Sequence, residues 1–148
     1  MFYGTYPHTV DEKGRVAIPT PFRKELSRLH DELLFVTKFK ERERPCLDVF
    51  PESKWLKRVE RLAELRRKDR RFASFERWYL GAAHEVELDT QNRILVPPAL
   101  REYAGIGREV TLAGRGDRFT VWSRELFHQV DHEDELAAFQ DPSLLDEL

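Results

Sequence analysis

A thirteen-residue pattern occurs twice in this chain, and that repeat limits the fold more than any single segment does. Asp11, Arg15, Pro19 and Arg23 recur as Asp89, Arg93, Pro97 and Arg101, all at an offset of 78 residues. The apolar positions Val10, Val16, Ile18 and Phe22 recur at the same offset as Leu88, Ile94, Val96 and Leu100. A second match, Asp48-Val49-Phe50-Pro51-Glu52 with Thr120-Val121-Trp122-Ser123-Arg124, fits an offset of 72, so a connection is shorter in the second copy. Two copies are too few for a solenoid. They predict two half-domains that complete one core, with two equivalent charged loops near a pseudo-twofold axis.

At 148 residues the chain suits one domain with a sizeable core, read here as two fused halves. No apolar run is long enough to span a membrane. The opening residues Met1–Tyr6 carry neither a basic stretch nor the apolar core of a secretory signal. One cysteine, Cys46, excludes an intrachain disulfide and fits a reducing compartment, so the cytoplasm is the expected location. The net charge of −2 hides an asymmetry: residues 1–80 carry 19 Lys and Arg against 13 Asp and Glu, and residues 81–148 carry 6 against 14. Seven of those acids fall in residues 131–148, which hold no Lys or Arg. Without that tail the body is cationic, so the overall charge does not argue against a nucleic-acid partner.

Along the chain, Thr5–Ile18 reads as a hairpin around the polar turn Asp11–Arg15, with Gly14 free to take a positive φ. A short helix follows at Pro21–Leu29, with Thr20 as its expected N-cap. Leu33–Thr37 and Leu47–Phe50 read as strands, with Lys38–Pro45 as a charged loop. The second copy repeats this order: a hairpin at Glu85–Val96, a helix at Pro98–Tyr103, strands at Glu109–Ala113 and Phe119–Trp122, and a helix start at Ser123. Between the copies, Glu52–Arg67 has a helical stripe of Trp55, Val59 and Leu62 with a basic outer face, and Phe72–Leu80 is a second helix. The organisation is thus 1–50, first repeat; 51–80, connecting helices; 81–130, second repeat; 131–148, acidic tail.

The chemistry that stands out is the Asp-x-x-Gly/Asn-Arg turn. Its Asp accepts backbone N–H bonds that hold a turn, or pairs with the Arg four residues on. Its Arg offers a fork of donors suited to guanine edges and phosphates. Two such turns across a pseudo-twofold make a symmetric cationic surface; the competing reading is a pair of hairpins whose Asp and Arg only stabilise the turns. His128 and His132, with Asp131 and Asp134 nearby, have one-face helical spacing, but that spacing is common by chance and reads as a solvated helix rather than a metal site. His84-Glu85 and the many carboxylates are the material of an enzyme, yet no nucleophile elbow, Gly-rich phosphate loop or zinc pattern accompanies them. Neither a cofactor nor a metal is called for.

Met1-Phe2-Tyr3-Gly4, then Asp11-x-Lys13-Gly14-Arg15-Val16-x-Ile18-Pro19 and Phe22-Arg23, resembles the opening of MraZ proteins. Asp89-x-x-x-Arg93-Ile94-Leu95-Val96-Pro97, Leu100-Arg101-x-Tyr103-Ala104-Gly105, Gly114 and Val121-Trp122 are similar to the second half of that family. The resemblance runs to about Val130. It implies an α+β fold of tandem AbrB-like swapped-hairpin β-barrel halves with short flanking helices. It implies a bacterial transcriptional regulator that binds double-stranded DNA at short direct repeats, in the promoter of its own division and cell-wall gene cluster. It also implies a ring-shaped homo-oligomer, associated with the nucleoid and not with a membrane. The DNA-contacting element of the family falls on Asp11, Lys13, Gly14 and Arg15, and on Asp89, Asn92 and Arg93. Asn92 stands where the family usually has Gly, and Asn tolerates left-handed geometry best after Gly. Gln91 replaces the Lys13 equivalent, which leaves the second turn less cationic. Phe2, Tyr3, Trp78 and Tyr79 are candidates for contact between subunits, with core packing as their competing role. An interaction or scaffold module on the same fold, without DNA binding, is the alternative function.

Overall fold

The two Asp-to-Arg turns each launch a short strand and then a helix, and the chain runs this sequence twice. The computed structural model describes all 148 residues, Met1–Leu148. Strand β1 spans Thr5–Thr9 and β2 Arg15–Ala17, followed by helix α1 at Thr20–Leu29. Strands β3 (Leu33–Glu41) and β4 (Arg44–Pro51) lead into helices α2 (Glu52–Lys68) and α3 (Phe72–Gly81). The second copy supplies β5 (His84–Glu87), β6 (Arg93–Leu95), α4 (Pro98–Ala104), β7 (Glu109–Gly114), β8 (Phe119–Ser123) and α5 (Arg124–Ala138). A 3-10 turn at Pro142–Glu147 ends the chain.

Local chemistry explains the helix limits. Proline in the first turn starts α1 and α4, where its missing N–H costs nothing. Both helices end on a left-handed residue, His30 (φ 57°) and Gly105 (φ 64°), whose N–H bonds back into the last turn. Ser123 caps α5 by accepting the Leu126 N–H at 3.2 Å. The expected cap on α1 is not made. Pro19 takes the cap position, and Thr20 lies inside the first turn, where its hydroxyl accepts from Arg23 Nη2 at 2.6 Å.

The strands form one six-stranded antiparallel sheet in the order β1-β7-β8-β4-β3-β5, and a separate two-stranded ribbon, β2-β6, rather than a closed barrel. The pseudo-twofold lies between β8 and β4, and each copy lends its first strand to the other: β1 joins β7, and β5 joins β3. Neither expected hairpin therefore forms as a paired unit. β1 and β2 share only a single bridge, Val10 to Val16. The alternating pattern sets which face of a strand is buried, not which strand it pairs with. The pairing across halves places Val10, Val16, Ile18, Ile94 and Val96 in one core cluster, all at most 7% exposed. An isolated two-stranded hairpin has no such core to pack on.

Register locates the shorter connections of the second copy. The facing pair Val36–Val49 of the first copy becomes Leu112–Val121 in the second, offsets of 76 and 72. Two residues are lost around the end of α4, and four from the tip of the second hairpin. In the first copy that tip is long. The expected charged loop Lys38–Pro45 is mostly strand, because β3 and β4 stay paired out to Glu41–Arg44. Phe39 packs edge-on against the Tyr79 ring, and Glu41 takes Arg115 at 3.3 Å, so the polar stretch is held along its length. Arg42 (φ 50°) and Glu43 (φ 62°) make the two-residue turn with both φ positive, as a primed turn requires.

The main core lies between the sheet, the ribbon and helices α1 and α4. Phe22 meets Phe119 at 4.8 Å and Phe2 at 5.4 Å between ring centroids, and such aromatic pairs add about 0.5–1.5 kcal/mol each beyond area burial. A second cluster under α2 and α3 joins Phe50, Trp55, Leu62 and Tyr79. Phe2 and Tyr79 are thus core residues at 2% and 1% exposure, and of the four subunit-contact candidates only Tyr3 is largely exposed. In the second cluster the Tyr79 hydroxyl donates to the buried Asp48 at 2.6 Å, and Arg118 Nε donates to the other Asp48 oxygen at 3.2 Å. No helix is long and apolar enough to cross a membrane.

Candidate nucleic-acid interface

Each turn is built by one aspartate. Asp11 Oδ1 accepts the backbone N–H groups of Lys13 and Arg15, both at 2.9 Å, and its Oδ2 accepts Arg15 Nε at 2.8 Å. Asp89 repeats the arrangement with Gln91 N–H at 2.8 Å, Arg93 N–H at 3.0 Å and Arg93 Nε at 2.9 Å. The two roles open to this Asp, holding the turn and pairing the Arg, are both filled. The backbone N–H of Arg15 holds the Asp11 carboxyl below its usual range, helped by the Arg15 side chain and the Lys13 N–H. The Arg93 N–H does the same for Asp89.

The turns are also locked to each other. Val96 N–H donates to Gly14 C=O at 2.9 Å, and Ile18 N–H donates to Asn92 C=O at 3.0 Å. The ribbon adds the register Arg15–Leu95, Val16–Ile94 and Ala17–Arg93. Arg93 Nη1 also lies 3.6 Å from Asp11 Oδ2, so that carboxylate faces both arginines. All seven residues expected at the site, Asp11, Lys13, Gly14, Arg15, Asp89, Asn92 and Arg93, fall on this one two-turn unit. Lys13 is exposed at its tip, and Arg15 and Arg93 are half-buried.

The two copies differ at the left-handed position. Gly14 has φ 88° and is buried; Asn92 has φ 59°, so its turn survives without glycine. A Cβ on Gly14 would collide with the Arg101 guanidinium, 2.5 Å from its Cζ. Arg101 is held there by donating Nε to Val96 C=O at 3.1 Å. Its counterpart Arg23 turns to Thr20, leaves its Nε buried without a partner, and shares an open cleft of about 510 Å³ with Asn92. Arg101 lies against the first turn and Arg23 borders a cleft with Asn92 of the second, and neither was among the expected site residues. Both recur in the repeat at the 78-residue offset, which is the signal that points to them. With these two, the unit carries five cations (Lys13, Arg15, Arg23, Arg93, Arg101) against Asp11, Glu12 and Asp89.

The histidine spacing on α5 leads elsewhere. His128 and His132 are exposed, and the neighbouring Asp134 carboxylate takes Arg42 Nε at 2.6 Å. Cys46 is buried, and burial pushes its thiol far above the usual range.

Residues 1–76 and 79–144 match the family described as "MraZ protein, putative antitoxin-like". The chain is 41% identical over 128 residues to the transcriptional regulator MraZ of Carboxydothermus hydrogenoformans, covering 86% of this chain and 85% of that one. The protein of the same name in Coxiella burnetii is 40% identical, with 84% and 80% covered. The one in Thermus thermophilus is 39% identical, with 84% and 83% covered.

Proposed function

The chain belongs to the MraZ family, and from that premise we propose that it is a sequence-specific DNA-binding transcriptional regulator. Its target on this reading is the promoter of its own division and cell-wall gene cluster. The observation that carries the reading is the pair of turns fixed against each other, with Arg15 and Arg93 on one rigid unit. A rigid pair of arginines suits base reading, because geometry separates a bidentate contact from a diffuse one. The relatives carry names of regulators rather than catalysts, which supports a non-enzymatic role. In this reading the exchange of β1 and β5 between copies is the swapped-hairpin arrangement of the AbrB-like fold. Residues 1–50 and 81–130 are its two halves, 51–80 the connecting helices and 131–148 an acidic tail. The protein works in the cytoplasm at the nucleoid.

Asp11, Lys13, Gly14 and Arg15 form the first contact element, and Asp89, Asn92 and Arg93 the second. Lys13 has no cationic counterpart at Gln91, so the first element binds more strongly. One chain offers two turns that sit together, so several short direct repeats need several chains, and a ring-shaped homo-oligomer supplies them. Multivalency then adds affinity that one weak site lacks. Light scattering that finds only monomer at micromolar concentration would remove this part of the reading.

The test is a mobility-shift titration with a duplex from the region upstream of the protein's own gene. Arg15→Ala is expected to cost about 1–3 kcal/mol on that duplex. Lys13→Ala is expected to weaken binding to all sequences and to flatten its salt dependence. Arg15→Ala binding as tightly as wild type at the same salt would overturn the assignment. Wild type that fails to bind any duplex would leave the scaffold alternative.

A further inference from the structure

The outward face of the β2–β6 ribbon carries a side chain that neither turn nor core uses. Val16 and Ile94 point inward and are buried. Strand alternation then puts Arg15, Ala17, Arg93 and Leu95 on the other face. Leu95 is 51% exposed there. The remaining strongly exposed leucines lie on α2, in the second half of α5, or in and just after the terminal turn, none of them on the ribbon. The residue facing Leu95 across the ribbon is Arg15. Its counterpart in the first copy is Ala17, which faces Arg93. Each turn carries the same Asp–Arg pair, but the ribbon between them is not matched in bulk.

We propose that Leu95 is a specificity-determining contact that reads the 5-methyl group of a thymine beside the base addressed by Arg15. The proposal rests on the DNA-binding reading of this face. A two-stranded ribbon fits the major groove of B-DNA, where thymine is marked by its methyl group and guanine by two acceptors. Asp11 holds Arg15 by its Nε, and neither terminal nitrogen of Arg15 bonds within the chain, so its fork stays free for a guanine edge. Leucine offers no hydrogen bond, and its complement in that groove is the methyl group. Directly facing side chains on a ribbon lie roughly 5 Å apart at Cβ, against about 3.4 Å between successive bases of a strand. Leu95 therefore addresses the base pair next to that of Arg15. Ala17 reaches less far than Leu95 from the other side, so the two half-sites are read unequally.

The experiment uses the full chain and one upstream duplex prepared twice, with thymine and with uracil throughout. Uracil removes the methyl group and keeps every pairing edge. Wild type is expected to bind the thymine duplex about three- to fivefold more tightly, the effect of burying one methyl-sized group. Leu95→Ala is expected to lose most of that preference, binding both duplexes near the wild-type level for uracil. Ala17→Leu is expected to enlarge the preference. Both positions are exposed, and a thermal melt checks that the variants fold. Binding of wild type with no thymine preference, or an undiminished preference in Leu95→Ala, overturns the proposal while leaving the DNA-binding reading intact. Absence of wild-type binding to either duplex overturns both. Unchanged preference together with a changed oligomer size in Leu95→Ala assigns the residue to a contact between protein copies instead.

Discussion

The guanidinium of Arg101 occupies the space that a Cβ on Gly14 would take. Gly14 is fixed by its φ of 88°, and a Cβ there would also have to push aside the flexible end of the Arg101 side chain. Gly14→Ala strains the turn and must displace Arg101 from the Val96 carbonyl. The expected loss of stability is at least about 1 kcal/mol, since alanine at positive φ costs more than it gains from a stiffer unfolded chain. Asn92→Gly keeps its left-handed backbone, removes no such packing, and is expected to move stability by less than that. Urea midpoints for the two variants check the contrast. A midpoint for Gly14→Ala equal to wild type would show that the positive φ does not restrict this position to glycine.

The same pair shows what the sequence makes legible. The repeat of Asp11 and Arg15 as Asp89 and Arg93 predicts two equivalent turns, and the left-handed backbone of Asn92 follows from its side chain. Helices α2 and α3 follow from apolar spacing, and the starts of α1 and α4 from proline positions. Pairing partners do not follow, because β1 and β5 carry a pattern that suits any sheet edge with an apolar face beneath it. The tip at Arg42-Glu43 was hidden for a different reason: a primed turn usually announces itself with Asn or Gly, and here two charged residues take positive φ. The contact of Arg101 with Gly14 joins residues far apart in the chain, which local spacing cannot register.

Acid should release the turns late. The folded-state pKa of Asp11 lies below the ordinary aspartate value of 3.8, and that of Asp89 does too. A depressed carboxylate contributes stability that is fully present above the unfolded pKa and is lost as pH falls through the folded one. The turns are therefore expected to hold at pH 4 and loosen below it. The leading cause at Asp11 is the Arg15 backbone N–H, which survives substitution of the side chain. A carboxyl NMR titration of Arg15→Ala is expected to give an Asp11 midpoint above wild type but still below 3.8. A midpoint at or above 3.8 in the wild type would contradict the geometry.

The buried carboxylate of Asp48 ties three elements together, through Tyr79 on α3 and Arg118 before β8. Burial raises its pKa, opposed chiefly by Arg118. Asp48→Ala leaves Arg118 without its buried partner and is expected to cost about 3 kcal/mol in denaturant unfolding. Tyr79→Phe, which leaves Asp48 with one donor fewer, is expected to cost about 1–2 kcal/mol. The double variant is expected to cost less than the two losses added, because both remove the same bond. Strict additivity would mean that the hydroxyl and the carboxylate act independently.

The acidic end of the chain is partly committed to its own body. Arg44 pairs with Glu133 at 2.8 Å and Arg42 with Asp134 at 2.6 Å, which ties the tip of the β3–β4 hairpin to α5. Leu136, Phe139, Leu144 and Leu145 further along are exposed, so the tail adds no buried apolar residue to the core. Exposed pairs of this kind contribute little stability, about 0–1 kcal/mol each. Their larger effect is on the field, since residues 131–148 place seven negative charges on an otherwise cationic body. Deleting 131–148 is expected to tighten binding to random duplex DNA at low salt. The gain should fade at high salt, where the Debye length falls from about 10 Å at 0.1 M to about 3 Å at 1 M. Replacing only Glu133→Gln and Asp134→Asn should reproduce a fraction of the gain, because it frees two arginines and leaves the other charges. Sequence preference should persist in both variants, since Arg15 and Arg93 are untouched. Equal low-salt affinity for random DNA with and without the tail would sink the masking role and leave the tail as a solubilising segment.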